Sequence, residues 1–271
     1  MHSAYRAPLK EVVRQSPRQV GYHMSLWSTK LLKHFLYTRC GVEYSRERVR
    51  QLLHELGFRQ RRLRHRHLRA DPEEQAAFVI DLDILLSQWP EDWELLFVDE
   101  ATVRRHPTLT ARWCLVDDVP EVPTGDDHTK IQVYGAVSPL TGRTHYRIRP
   151  TLSQGHVADF LKQLSRYYRD KRVLVIHDRA RHHQGRVVDE VVNASEGNLM
   201  LMPQPRYSPE FNPQERIWKW MRRVVTHDHW FESLSEEIQA IRDFFCYVAG
   251  RKVEVQRLCT IKTPDSLVAL L

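Results

Sequence analysis

The sequence predicts an α/β domain preceded by a small all-α domain. Three observations predict it: a net charge that changes sign along the chain, paired helical apolar spacings before residue 60, and short apolar strands alternating with amphipathic helices from about residue 92 onward. The 271 residues carry a net charge of +7, yet residues 1–70 hold 16 Lys+Arg against 4 Asp+Glu, a net of +12, which leaves −5 for the remainder. A basic module therefore precedes an acidic one. Clustered Lys/Arg marks a binder of polyanions, because each neutralised phosphate releases condensed counterions.

Composition also excludes several classes. At 42% hydrophobic and 28% charged residues, with no apolar run long enough to span a bilayer, a helical membrane protein is ruled out. Met1–Gln15 is interrupted by Arg6, Lys10 and Arg14 and lacks the pattern of a secretory signal, so a cytoplasmic protein is expected. Cys40, Cys114, Cys246 and Cys259 show neither a Cys-x-x-Cys pair nor zinc-finger spacing and read as ordinary thiols. His65/His67 and His182/His183 lack helical ligand spacing, which predicts surface or phosphate-contacting histidines rather than a zinc site.

The elements follow in order. Pro17 and Gly21 break the opening segment, and residues 26–39 place Leu26, Trp27, Leu31, Leu32, Phe35 and Leu36 at helical intervals, with Gly41 as the stop. Ser45 is a good N-cap for a second helix to Leu56, with Val49, Leu52, Leu53 and Leu56 on its buried stripe. The other face carries Arg46, Arg48, Arg50, Gln51 and His54. Two short helices joined by a tight turn, the second rich in donors, match a helix-turn-helix whose second helix enters the major groove of duplex DNA, although many helical hairpins bind no DNA. The following stretch, with Arg61, Arg62, Arg64 and Arg66, has too few apolar residues to pack and reads as a basic arm that tracks phosphates.

Asp71-Pro72 starts a helix over 73–87, with Ala76, Phe78, Val79, Leu82 and Leu85 facing the next domain. Strands are expected at Leu95–Val98, Arg112–Val116, Lys130–Ser138, Arg143–Arg149, Val173–Ile176 and Leu199–Met202, and helices at 155–169, 183–194 and 213–225. Antiparallel strands followed by helix-flanked ones suggest a sheet of the ribonuclease H type. The expected boundaries are a helix-turn-helix domain at 1–58, a basic arm at 59–75 and a ribonuclease H-like domain at 76–271.

Two of the apolar strands deliver an aspartate, Asp99 and Asp178, at the C-terminal end, where open α/β sheets place ligands. A third carboxylate, Glu215, falls in the first turn of a helix after the rigid segment 207–214. Singly these acids also fit bland roles, as strand-end caps or a favourable charge at a helix N-terminus. Together they would repel unless a hard divalent cation sat among them, and such a cluster suits phosphodiester chemistry.

At these residues the sequence resembles a known family. F-V-D-E at 97–100, V-I-H-D-R-A-R-H-H at 175–183 and Y-S-P-E-F-N-P-Q-E-R-I-W at 207–218 are similar to the three catalytic boxes of mariner-like insertion-sequence transposases, members of the DDE endonuclease superfamily. The 36 residues between Asp178 and Glu215 match that superfamily's spacing, and S-P-R-Q-V-G-Y at 16–22 with Tyr44–Phe58 resembles its second helix-turn-helix.

The resemblance implies a nucleoid-associated, homodimeric DNA transposase. It would use Mg²⁺, with Mn²⁺ as a substitute, held by Asp99, Asp178 and Glu215 in a two-metal mechanism, cleave at terminal inverted repeats and join 3′ ends to a TA target. It makes His183 a candidate phosphate contact. Two departures stand out: Arg179 replaces an Asn common after the second Asp, and the family's first helix-turn-helix is expected upstream of this chain or in another frame. The alternative is a catalytically incomplete or repurposed transposase acting only as a DNA-binding protein. A nuclease of RNA–DNA hybrids is disfavoured because a helix-turn-helix reads duplex DNA.

Overall fold

The computed structural model describes residues 6–61 and 67–261. The chain divides into two compact units, residues 1–65 and 66–271. Arg62, Arg64 and Arg66 of the expected arm lie outside the described residues.

The first unit is helical: α1 (Arg6–Val12), a 3₁₀ turn (Pro17–Val20), α2 (Thr29–Cys40) and α3 (Arg46–Glu55). Caps set the boundaries. Ser28 accepts from the Leu31 N–H and Ser45 from the Arg48 N–H, while Gly41 ends α2 at φ 67°, a left-handed conformation that glycine adopts without steric cost. Leu9 of α1 joins Leu32, Leu36, Val49 and Leu52 in one core, so α2 and α3 are braced by a helix that the sequence reading did not anticipate. The first expected helix begins later than 26 because Ser28 caps it. Leu26 is exposed, and Trp27 lies before the helix and donates its indole N–H to the Gln15 carbonyl.

The second unit is a five-stranded mixed sheet. In chain order it runs α4 (Pro72–Ser87), β1 (Trp93–Arg104), β2 (Lys130–Val137), β3 (Thr144–Arg149), α5 (Gln154–Tyr167), β4 (Arg172–His177), α6 (Arg186–Asn193), β5 (Leu199–Pro203), α7 (Gln214–Met221), α8 (Leu234–Ala249) and α9 (Lys252–Leu258). The strand order is β3-β2-β1-β4-β5. β1, β2 and β3 pair antiparallel, whereas β4 runs parallel to β1 and β5 parallel to β4. This is the ribonuclease H-like arrangement, and the α/β expectation holds. Alternation along β1 and β4 feeds two cores. Leu95, Phe97, Leu174 and Ile176 pack with α4, α7 and α8 on one face, and Leu96, Val98, Val173 and Val175 pack with α5 and α6 on the other.

Several expected elements differ. Arg112–Val116 is not a strand: it lies in the connection between β1 and β2, with Trp113, Leu115 and Val116 exposed. An alternating apolar pattern shows only that a strand is possible, and here β1 extends to Arg104 and takes β2 as its partner. Helix α6 begins at Arg186 rather than 183 because Gly185, at φ 114°, separates it from a 3₁₀ turn at Arg181–His183. Helix α7 ends at Met221 and passes into a π turn, Arg222–Thr226. The helical intervals of Ile241, Phe245 and Val248 behind the N-cap Ser233 mark α8, a helix beyond the expected elements. Helix α4 starts at Pro72, capped by Asp71, so the expected boundary at residue 76 falls inside its first turns.

Candidate active site

β1 and β4 pair in parallel as far as Phe97 and Ile176, and Asp99 and Asp178 each follow that last pair by two residues. Period-2 alternation places Asp99 on the face where Phe97 meets α7, and Asp178 directly follows the last residue of β4. Asp99, Asp178 and Glu215 line one cleft of about 360 Å³, together with Arg179, Arg206 and Tyr207.

Helix α7 and the residues just before it are tied to β1 at Val98 and at Asp99. Asn212 donates its side-chain amide to the Val98 carbonyl at 2.9 Å and accepts from the Gln214 N–H at 3.0 Å, which sets the start of the helix and with it Glu215. One turn on, the Trp218 indole N–H donates to Asp99 Oδ2 at 2.9 Å. Opposite Asp99 in the ladder stands Gly135, where a Cβ would come within 2.4 Å of both the Trp218 ring and the Gln214 amide. Only a glycine leaves room for the indole there.

Electrostatics separate the two aspartates. Burial, reinforced by the charges of Glu215 and Glu100, pushes the Asp99 carboxyl up to about 8, so without a cation it keeps its proton at neutral pH. Asp178 behaves oppositely. Burial would raise it, but the His183 imidazole and the Ala180 N–H outweigh burial and hold it below the usual carboxylate range. Its Oδ1 accepts from Ala180 N–H at 3.0 Å and from His183 Nδ1 at 2.6 Å.

Sequence reasoning missed a fourth acid. Glu100, buried on the face of β1 opposite Asp99, accepts from His183 Nε2 at 2.8 Å and from His182 Nε2 at 3.0 Å. Both nitrogens of His183 thus face carboxylates, which are acceptors only, so the ring is doubly protonated. Burial opposes that charge, but Asp178 and Glu100 outweigh it and raise the imidazole to about 10. The phosphate contact expected of His183 is corrected on this ground: the ring is buried and has no free nitrogen. The His-His pair gave no spacing signal because its partner lies 82 and 83 residues away. Arg179, the departure from the family pattern, pairs with Glu74 of α4 at 2.5 Å, so its charge is answered from within the domain.

In the helical unit, Arg46, Arg50, Gln51 and His54 are exposed on α3. Arg48 pairs with Glu55 at 2.8 Å and Arg50 with Glu47 at 2.7 Å. Such solvent-exposed pairs are worth at most about 1 kcal/mol and exchange readily for phosphates. Arg61 is also exposed.

A ribonuclease H-like sheet with three carboxylates in one cleft defines a class, the metal-dependent nucleic-acid endonucleases and strand transferases. The comparisons name the family. A model described as DDE superfamily endonuclease matches residues 94–237, more than half of the chain, and one described as winged helix-turn helix matches residues 24–82. The chain belongs to the DDE superfamily of endonucleases and carries a helix-turn-helix ahead of that fold. It is 29% identical over 241 residues to the insertion element IS630 uncharacterized 39 kDa protein of Shigella sonnei, covering 87% of this chain and 68% of that protein. Among solved structures it is similar to the mariner Mos1 paired end complex with Mg, with a TM-score of 0.63 at 17% identity, covering 94% of this chain and 76% of that one. It is similar also to the Mos1 strand transfer complex, with a TM-score of 0.62 at 17% identity, covering 94% and 75%. The resemblance read from the three boxes and the fold it implied are thereby borne out.

Proposed function

We propose that this endonuclease is a DNA transposase in which Asp99, Asp178 and Glu215 hold the catalytic divalent cations, Mg²⁺ or, in its place, Mn²⁺. The observation that carries the reading is the meeting of these three carboxylates, from β1, the end of β4 and the start of α7, in one cleft. The donor set fits the group. All three offer hard oxygen ligands, and burial, with the charges of Glu215 and Glu100 added to it, raises the Asp99 carboxyl, a cost that a bound cation would relieve. The Mn and Mg complexes among the Mos1 structures agree with a divalent ion in this fold.

When bound, a pair of such ions stabilises the attacking and leaving oxygens of an in-line phosphoryl displacement. The chain's own residues do the rest. Trp218 orients Asp99, Asn212 sets the helix that presents Glu215, and Ala180 with His183 anchors Asp178. In this reading Arg46, Arg48, Arg50, Gln51 and His54 of α3 read terminal inverted repeats, and the arm with Arg61, Arg62, Arg64 and Arg66 follows phosphates. The functional divisions are 1–58 for DNA reading, 59–75 for the arm and 76–271 for catalysis. The protein works in the cytoplasm at the nucleoid, as a homodimer that pairs two transposon ends and joins them to a TA target. No helix among the described residues is long and apolar enough to cross a membrane.

The test uses duplexes that end in the inverted repeat found beside the gene, flanked by TA. Nicking in Mg²⁺ is expected of the native chain and is lost in Asp99→Ala, Asp178→Ala and Glu215→Ala, while each variant still binds duplex. Cleavage that survives one of these changes removes that residue from the triad.

A further inference from the structure

The Glu100–His183 pair lies outside the cleft lining, and nothing in the reaction as described uses Glu100. Strand alternation turns Glu100 away from the side where Asp99 meets Trp218. Its side chain is 7% exposed, and each oxygen receives a separate imidazole N–H, from His183 at 2.8 Å and His182 at 3.0 Å. His183, with a side chain 2% exposed, continues through its other nitrogen to Asp178 Oδ1 at 2.6 Å. The Ala180 N–H completes that oxygen, whereas Asp178 Oδ2 has no hydrogen-bond partner among the described residues, and the side chain is 44% exposed toward the cleft it lines.

Three features argue that this chain of groups serves Asp178. First, buried ionic clusters contribute little net stability compared with apolar packing of the same volume, so folding alone does not account for it. Second, the pattern is that of outer-shell partners around metal sites, where a carboxylate holds an imidazole and thereby fixes the group that ligates. Third, the two imidazoles and Glu100, close enough together to suggest a cation site of their own, already have each nitrogen that faces Glu100 bonded to a separate carboxylate oxygen.

We propose that Glu100 is a positioning residue. Acting through His183, it pins Oδ1 of Asp178 so that Oδ2 stays turned to the cleft for the cation. The proposal rests on the reading of Asp178 as a metal ligand. Glu100 itself touches neither substrate nor cation.

The experiment is a Mn²⁺ titration of the full chain without DNA, followed by the electron paramagnetic resonance of free Mn²⁺, with thermal unfolding of each variant in parallel. The affinity lost in Asp178→Ala defines the site. Glu100→Ala is expected to weaken that site about 10- to 100-fold, and His183→Ala similarly, with the double variant little worse than either single because the two act in series. Glu100→Gln still accepts from His183 and is expected to stay within about threefold of the native chain, which separates a hydrogen-bonded bridge from a bulk charge effect. Wild-type Mn²⁺ affinity in Glu100→Ala, with loss in Asp178→Ala, overturns the positioning role and leaves the metal reading intact. Wild-type affinity in Asp178→Ala overturns both. Strictly additive losses, or a Glu100→Gln variant as weak as Glu100→Ala, also overturn it. Should Glu100→Ala fail to fold, His183→Gln replaces it, since a glutamine there cannot bridge both carboxylates; native affinity in that variant counts equally against the proposal.

Discussion

The Trp218 indole N–H bonds to Asp99 Oδ2 at 2.9 Å, three residues beyond Glu215 on the same helix. One helix therefore carries the third acid of the cleft and restrains the first. Trp218→Phe removes the donor and keeps most of the ring. Losing a hydrogen bond to a neutral carboxyl typically costs about 0.5–1.5 kcal/mol, so the variant is expected to fold, with a slightly lower unfolding temperature and a higher Mg²⁺ requirement for nicking. An unchanged Mg²⁺ dependence would remove Trp218 from the site.

Gly135 tests the same contact from the other side. A methyl group there meets the indole and the Gln214 amide at 2.4 Å, well inside contact distance. Overpacking of this kind typically costs about 1–3 kcal/mol. Gly135→Ala is expected to lower the melting temperature and abolish cleavage, while duplex binding by the helical unit persists in a mobility-shift assay. Full activity in Gly135→Ala would show that α7 shifts without consequence.

Acid sensitivity should appear away from the cleft. Burial, with the nearby Arg143 charge, depresses the His145 imidazole to about 4, and its Nε2 lies 2.9 Å from the Tyr168 hydroxyl. A histidine depressed in the folded state binds fewer protons there than in the unfolded chain. Its contribution is complete above the unfolded value near 6.5 and is lost as pH falls toward 4. The loss amounts to about 3 kcal/mol. Urea unfolding at a series of pH values should show that decline in the native chain and a shallower one in His145→Phe. Parallel curves would assign the acid sensitivity to other groups.

The two basic regions should separate by salt and by sequence. Neutralising Arg61, Arg62, Arg64 and Arg66 is expected to weaken binding to all duplexes alike and to flatten the salt dependence, because phosphate contacts carry charge and little sequence information. Changing Arg46, Arg50 or Gln51 is expected to reduce preference for the terminal repeat, by about 1–3 kcal/mol for a lost base contact. An arm variant that loses discrimination and keeps its salt slope would reverse these roles.

Much of this protein is local in origin, and those parts are legible in the sequence. Ser45 caps α3 and Gly41 stops α2 because a cap depends on neighbours within a turn. The strands that carry Asp99 and lead to Asp178 announce themselves as short apolar runs, although β1 continues beyond its apolar run to Arg104, and the three boxes name the family. Tertiary structure decided what depends on register and on contacts between distant segments. The approach of Asp99 and Asp178 to one cleft depends on the pairing of β1 with β4, residues about eighty positions apart. Glu100 reads as an ordinary strand-end acid until the turn after β4 brings His182 and His183 to it, and Gly135 as an ordinary strand glycine until α7 lays Trp218 against it. The same limit explains Arg112–Val116, whose pattern suits a strand but which finds no partner in the sheet. Periodicity and capping report the energies of near neighbours, whereas strand partners, hydrogen-bond relays and close approaches are settled only when the chain packs against itself.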